Sequence, residues 1–306
     1  MGSAALFACL ALWQAAPAGA QTRKRPPARP APARPVGSDV AGNLANHLAG
    51  LVQAYREIPT PGRRRAVETY AAAHAKDNTG ALARLALGVT AYEQKNYPDA
   101  IGELKPIQTK LPQIADYTAY YLAAARVESN DTTVSARDLA PAHPAAAPSP
   151  VSGQAWLVEA RALKTSDAGA AIRLLRERYA DLPQPDGDLT LAACYEAASL
   201  LPNAVELYQR VYFQYVVGDA AARSAAALVA LKDTMGAAYP QPLPEQTLRR
   251  AGRLLELREY ADARSAYQAL LGELAGAPLD RARVSLGAAD FLRGETSLAY
   301  SYLRDL

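Results

Sequence analysis

Leu87-Gly88, Tyr92, Ala100 and Leu104 are spaced L-G-x3-aromatic-x7-A-x3-L, and Leu286-Gly287, Phe291, Ala299 and Leu303 repeat that spacing without a gap. A chain carrying this pattern is constrained to helical hairpins. Helix axes pack about 8–10 Å apart, and small residues permit the near end of that range. Gly88 and Ala100 are therefore predicted to mark the closest approach of two helices, with Tyr92 and Leu104 filling the space above it. Asn96 or Gly294 is expected to turn the chain, and Pro112 or Pro183 to stop the second helix.

Weaker copies extend the pattern. Ala171 with Leu175, Ala204 with Tyr208, and Ala263 with Tyr267 keep the alanine and the large residue that follows it. Beyond Ser38 the apolar residues recur at helical rather than alternating spacing, beginning with Val40, Leu44, Leu48, Leu51, Val52 and Tyr55. Ser38 or Asp39 is the N-cap candidate of that first helix, and Pro59 and Pro61 are expected to close it. The predicted fold is all-α, a right-handed α-superhelix of degenerate hairpins matching the tetratricopeptide unit of about 34 residues. An Ala- and Pro-rich loop from Thr132 to Pro150 interrupts the array, and Trp156 opens the next hairpin. Tyr117, Tyr120 and Tyr121, like Tyr208, Tyr212 and Tyr215, are expected to serve mainly as hairpin core, with hydroxyls available to line a binding face.

The charge is segregated. The formal net charge is +3, yet no acidic residue precedes Asp39, while Arg23, Lys24, Arg25, Arg29 and Arg34 crowd one short run. Without those five the chain has 28 basic and 30 acidic residues. A phosphate-binding groove needs its positive charge on the folded face, so nucleic acid is not an expected partner. Ala4 to Trp13 is an apolar run followed by Ala18-Gly19-Ala20, the pattern of a secretory signal cleaved after Ala20. The positive charge follows this run instead of preceding it, an order that a displaced start codon explains. Residues 1–20 are thus expected to be a signal peptide, 21–38 an extended Pro/Arg-rich linker, and 39–306 the repeat domain. The location is periplasmic, with no transmembrane span after cleavage.

Little chemistry is written in the sequence. It has no phosphate loop, nucleophile elbow or metal-ligand cluster, so no metal, cofactor or catalytic residue is assigned. His47, His74 and His143 are far apart in sequence, and Glu57, Glu159 and Glu206 are expected to form solvated i,i+4 pairs. Cys194 sits in an apolar helical segment and is expected to be a buried small hydrophobe.

The segment Asn203-Ala204-Val205-Glu206-Leu207-Tyr208-Gln209-Arg210-Val211-Tyr212, the turn Ala237-Ala238-Tyr239-Pro240 and the repeat from Arg258 to Leu271 resemble the N-terminal superhelical region of soluble lytic murein transglycosylases. The likeness covers about residues 40 to 306 and implies a ring or horseshoe that holds peptidoglycan glycan strands. In that family a separate lysozyme-like domain cleaves the glycan without water, giving 1,6-anhydromuramyl products. The family's catalytic Glu-Ser and Gly-Leu-Met-Gln motif have no counterpart, since Glu128-Ser129 ends a repeat helix. By analogy with Leu104 to Pro112 the last copy should continue about eight residues past Leu303, yet the sequence stops at Leu306, which predicts a C-terminal catalytic domain after residue 306. An envelope tetratricopeptide adaptor that binds protein partners is the alternative expectation.

Overall fold

The computed structural model describes residues 37–144 and 149–304, and among these every regular element is helical. The predicted signal peptide and most of the linker lie outside the described residues. The chain forms two compact units, up to Val158 and from Glu159 onward.

The first unit contains α1 (Gly37–Glu57), α2 (Pro61–Ala73), α3 (Asn78–Glu93), α4 (Tyr97–Leu104), α5 (Ala115–Glu128) and a short α6 (Ala136–Leu139), and the division falls within α7 (Ser152–Lys164). Each helix from α1 to α5 packs on its successor, and α1 also meets α3 as α3 meets α5. That alternation is the signature of stacked hairpins, none of which buries its apolar face alone. Leu48, Val52 and Tyr55 of α1 pack with Val67, Tyr70 and Ala71 of α2 and with Ala83, Ala86 and Leu87 of α3. Pro61 opens a helix here instead of closing one. It stands at the first position of α2, where a missing N–H costs nothing, behind the N-cap Thr60.

The second unit continues with α8 (Ala168–Glu177), α9 (Asp186–Ala197), α10 (Leu201–Gln214), α11 (Asp219–Met235), α12 (Pro244–Glu256), α13 (Tyr260–Leu270), α14 (Ala277–Leu292) and α15 (Thr296–Leu303). Neighbours in sequence again pack together except α11 and α12; α10 meets α12 directly, as α9 meets α11 and α12 meets α14. One core joins Val216, Ala251, Leu254, Ala263, Tyr267, Ala282 and Leu286. Cys194 is fully buried, and burial pushes its thiol up to about 11. Among the described residues no helix is long and apolar enough to cross a membrane.

The repeat positions fall on paired helices, with a different division of labour. A Cβ added to Gly88 would come within 2.6 Å of Leu104 Cγ, so the glycine is a socket for that leucine, while Ala100 is simply buried. Gly287 holds Leu303 in the same way, at 2.9 Å. Tyr92 is half-buried and meets the edge of Tyr121 from α5 at 5.6 Å. Its counterpart Phe291 is 62% exposed and Leu303 41%, so these two do not fill a core as expected. The physical reason is that no described helix covers α15 as α5 covers α4.

The turns and stops also differ from the expectation. Lys95, not Asn96, takes the left-handed backbone, with φ 61°, and Gly294 has φ 87°. Ser199 and Arg258 adopt the same conformation, and each of the four stands five residues before a buried repeat alanine. The following N–H in each case reaches back to the carbonyl five residues earlier, as in Asn96 N to Ala91 O at 2.9 Å, which is the Schellman closure. Pro112 and Pro183 stop neither helix. α4 ends at Leu104 in a 3-10 turn over Lys105–Ile107, where Pro106 has no N–H to continue the ladder. α8 has already ended at Glu177. Finally, the Thr132–Pro150 segment is not all loop: Ser135 and Asp138 form a capping box on α6, seating Leu139 and Ala142 in the core.

A guanidinium groove as candidate functional site

In the second unit two polar stripes face each other. On α10 the residues Ala204, Val205, Tyr208 and Val211 are buried, which turns Glu206, Gln209, Arg210 and Phe213 outward at i, i+3, i+4 and i+7. On α12, Ala251 and Leu254 are buried, and Gln246, Arg249, Arg250 and Arg253 form a second stripe with the same spacing. Together with Gln214 these residues line a groove of about 490 Å³. Its lining holds four arginines and one acidic residue, Glu206, and Arg210 also pairs with Asp188 beneath it at 3.5 Å.

The arginines are held differently. Arg250 Nε donates to Tyr212 O at 3.2 Å and its Nη2 to Val216 O at 2.9 Å, with the guanidinium 3.9 Å above the Tyr212 ring. Burial holds its pKa below the usual arginine range. Arg253 Nη1 donates to Gln214 O at 2.9 Å. Both arginines therefore satisfy carbonyls at the C-terminal end of α10, where backbone acceptors have no partner in the helix and the dipole is negative. Arg210 Nη1 donates to Tyr179 Oη at 2.9 Å, and Tyr179 Oη donates to buried Asp188 at 2.6 Å. Burial, then the bond to Asp188, raises the Tyr179 hydroxyl above its ordinary value. Arg210 also approaches Glu206, at 3.7 Å. Among the described residues Arg249 has neither an ion-pair nor a hydrogen-bond partner, and it is exposed. A guanidinium has five donors in a planar fork that matches a carboxylate or phosphate. The groove thus presents unspent donors and net positive charge to an anion.

The other titratable groups are distributed elsewhere. His47 and His74, distant in sequence, both meet the ring of Tyr70, at 5.7 and 4.4 Å, and His143 stacks on Trp156. His74 Nδ1 lies 3.2 Å from Asp77, whose carboxyl is pushed down to about 2, chiefly by the Thr79 hydroxyl. Among the described residues no group of three or more His, Cys, Asp or Glu is placed to hold a metal ion. Glu206 pairs with Arg210 and Glu57 accepts from Gln53, both solvated i,i+4 neighbours as expected, but Glu159 is buried. Tyr117, Tyr121 and Tyr208 are buried, whereas Tyr120, Tyr212 and Tyr215 are only half-buried.

The groove was not among the sequence expectations. Its signal was present as the Arg249-Arg250 doublet with Arg253 one turn on, but its meaning depends on α10 and α12 being neighbours across α11. No protein-family model matches the chain, and no curated protein matches it significantly.

Proposed function

We propose that the chain is a non-catalytic helical-repeat scaffold that holds peptidoglycan, as the N-terminal superhelical region of a soluble lytic murein transglycosylase does. The observation that carries this is the groove between α10 and α12, whose lining holds four arginines and one glutamate, with Arg249 unpaired among the described residues, on a framework of stacked hairpins. Peptidoglycan offers what such a groove needs, because its stem peptides carry carboxylates along a polymer. The work of the chain is to position that polymer, the chemistry belongs to a lysozyme-like domain, and the setting is the periplasm.

Purified sacculi test this directly. The chain is expected to co-sediment with them in low salt and to be released as ionic strength approaches about 0.5 M, where charge–charge attraction is screened within a few ångströms. A chain that stays in the supernatant at low salt would contradict the proposal. A second reading, an envelope adaptor for protein partners, is favoured by the exposure of Arg249 and Arg253, whose planar forks pair with the carboxylates of an acidic protein segment as well as with those of a stem peptide.

A further inference from the structure

We infer that the groove between α10 and α12 recognises an extended peptide segment carrying carboxylates on alternate residues, an inference that rests on the scaffold reading only in taking the groove as the binding face. Arg249 and Arg253 are separated by four residues on α12, about 6 Å along the helix axis at 1.5 Å per residue. In an extended chain, side chains on one face recur every second residue, about 6.6–6.8 Å apart. Two carboxylates at i and i+2 therefore match two guanidiniums one helical turn apart. Neighbouring carboxylates do not, because they point to opposite faces.

The remaining residues fit the same ligand. Arg250 is committed to the carbonyls of Tyr212 and Val216, so it holds the wall and fixes the register of α12 against α10. Arg249 has all its donors unspent, and Arg253 gives one to Gln214 O, leaving the rest of its fork. Gln246 offers an amide suited to the peptide backbone, and half-buried Phe213 offers an apolar surface for whatever lies near the carboxylates. A single-stranded nucleic acid fits less well. It needs successive aromatic platforms, whereas Phe213 is the one aromatic side chain in the lining.

The test is fluorescence anisotropy of a labelled alternating Glu-Ala hexapeptide, with Glu-Glu-Ala-Ala repeats and an alternating Lys-Ala peptide as comparisons. The full chain is expected to bind the alternating glutamyl peptide at least tenfold more tightly than either comparison. Arg249→Glu is expected to weaken it at least tenfold, and Arg281→Glu, the same charge change at an exposed arginine outside the groove, less than twofold. Circular dichroism of each variant confirms that the fold is retained, since Arg249 supports no described contact. Equal binding of the two glutamyl peptides, or equal loss in both variants, overturns the inference. If the alternating peptide fails to bind while sacculi still sediment the chain, the groove inference falls and the scaffold proposal stands. If neither binds, both fall.

Discussion

At the scale of single residues, the fold depends on where a side chain is missing and where a backbone is left-handed. Gly88 is a socket for fully buried Leu104, while Gly287 holds a Leu303 that is 41% exposed. A buried branch point cannot retreat from an added methyl, whereas an exposed one can swing aside. Gly88→Ala is expected to destabilise by about 1–3 kcal/mol through overpacking, and Gly287→Ala by under about 1 kcal/mol. Chemical denaturation measures both, and equal losses would contradict the socket account. The left-handed turn residues give the opposite sign. An L-residue there carries a strain of about 1–2 kcal/mol that glycine avoids at a smaller entropic cost. Arg258→Gly is thus expected to stabilise by about 0.5–1 kcal/mol, and a lower melting temperature would refute this. The sequence showed the positions, because glycine, alanine and leucine recur at fixed spacing, but it paired Gly88 with Ala100 where the structure seats Leu104 on Gly88. It hid the turns, because lysine, serine and arginine have no local reason to be left-handed. The hairpin closure imposes that conformation.

At the scale of helices, arginines tie elements together through groups that no sequence period reveals. Arg64 of α2 donates to both oxygens of Asp99 on α4, one bond being 2.9 Å, and also reaches Glu68. The hydrogen bond from Arg64 lowers the Asp99 pKa below its ordinary 3.8. A carboxyl depressed in the fold contributes stability that is complete above the unfolded value and is lost as pH falls through the folded one. Asp99→Asn is therefore expected to melt below the wild type at pH 7 and to converge on it as pH falls through and below the depressed folded value of Asp99. A constant gap across that range would contradict the pair's role. Helix existence was legible from apolar spacing, and so was the buried face of α10, through Ala204 and Tyr208. The groove was not, since Gln246, Arg249, Arg250 and Arg253 read alone are an ordinary solvated face. They become a site only because α12 packs beside the C-terminal end of α10, a contact that spans more than thirty residues of chain.

At the scale of the molecule, each compact unit is a succession of hairpins whose described residues hold no metal-binding cluster, and the second unit carries a groove lined by four arginines and one glutamate. The formal +3 of the chain misdirects on this point, because it resides in Arg23, Lys24, Arg25, Arg29 and Arg34, while the balance of the rest conceals a local excess on α10 and α12. Net charge reports on neither. The all-α class and hairpin repetition followed from periodicity, but ligand chemistry depends on which stripes meet. The most direct measurement is hydrogen–deuterium exchange of the chain with and without soluble peptidoglycan fragments that retain their stem peptides. Protection is expected to concentrate on peptides spanning Glu206–Gln214 and Gln246–Arg253 and to vanish in the Arg249→Glu variant. Protection confined to other helices, or unchanged by that substitution, would contradict a scaffold that holds its ligand through the guanidinium groove.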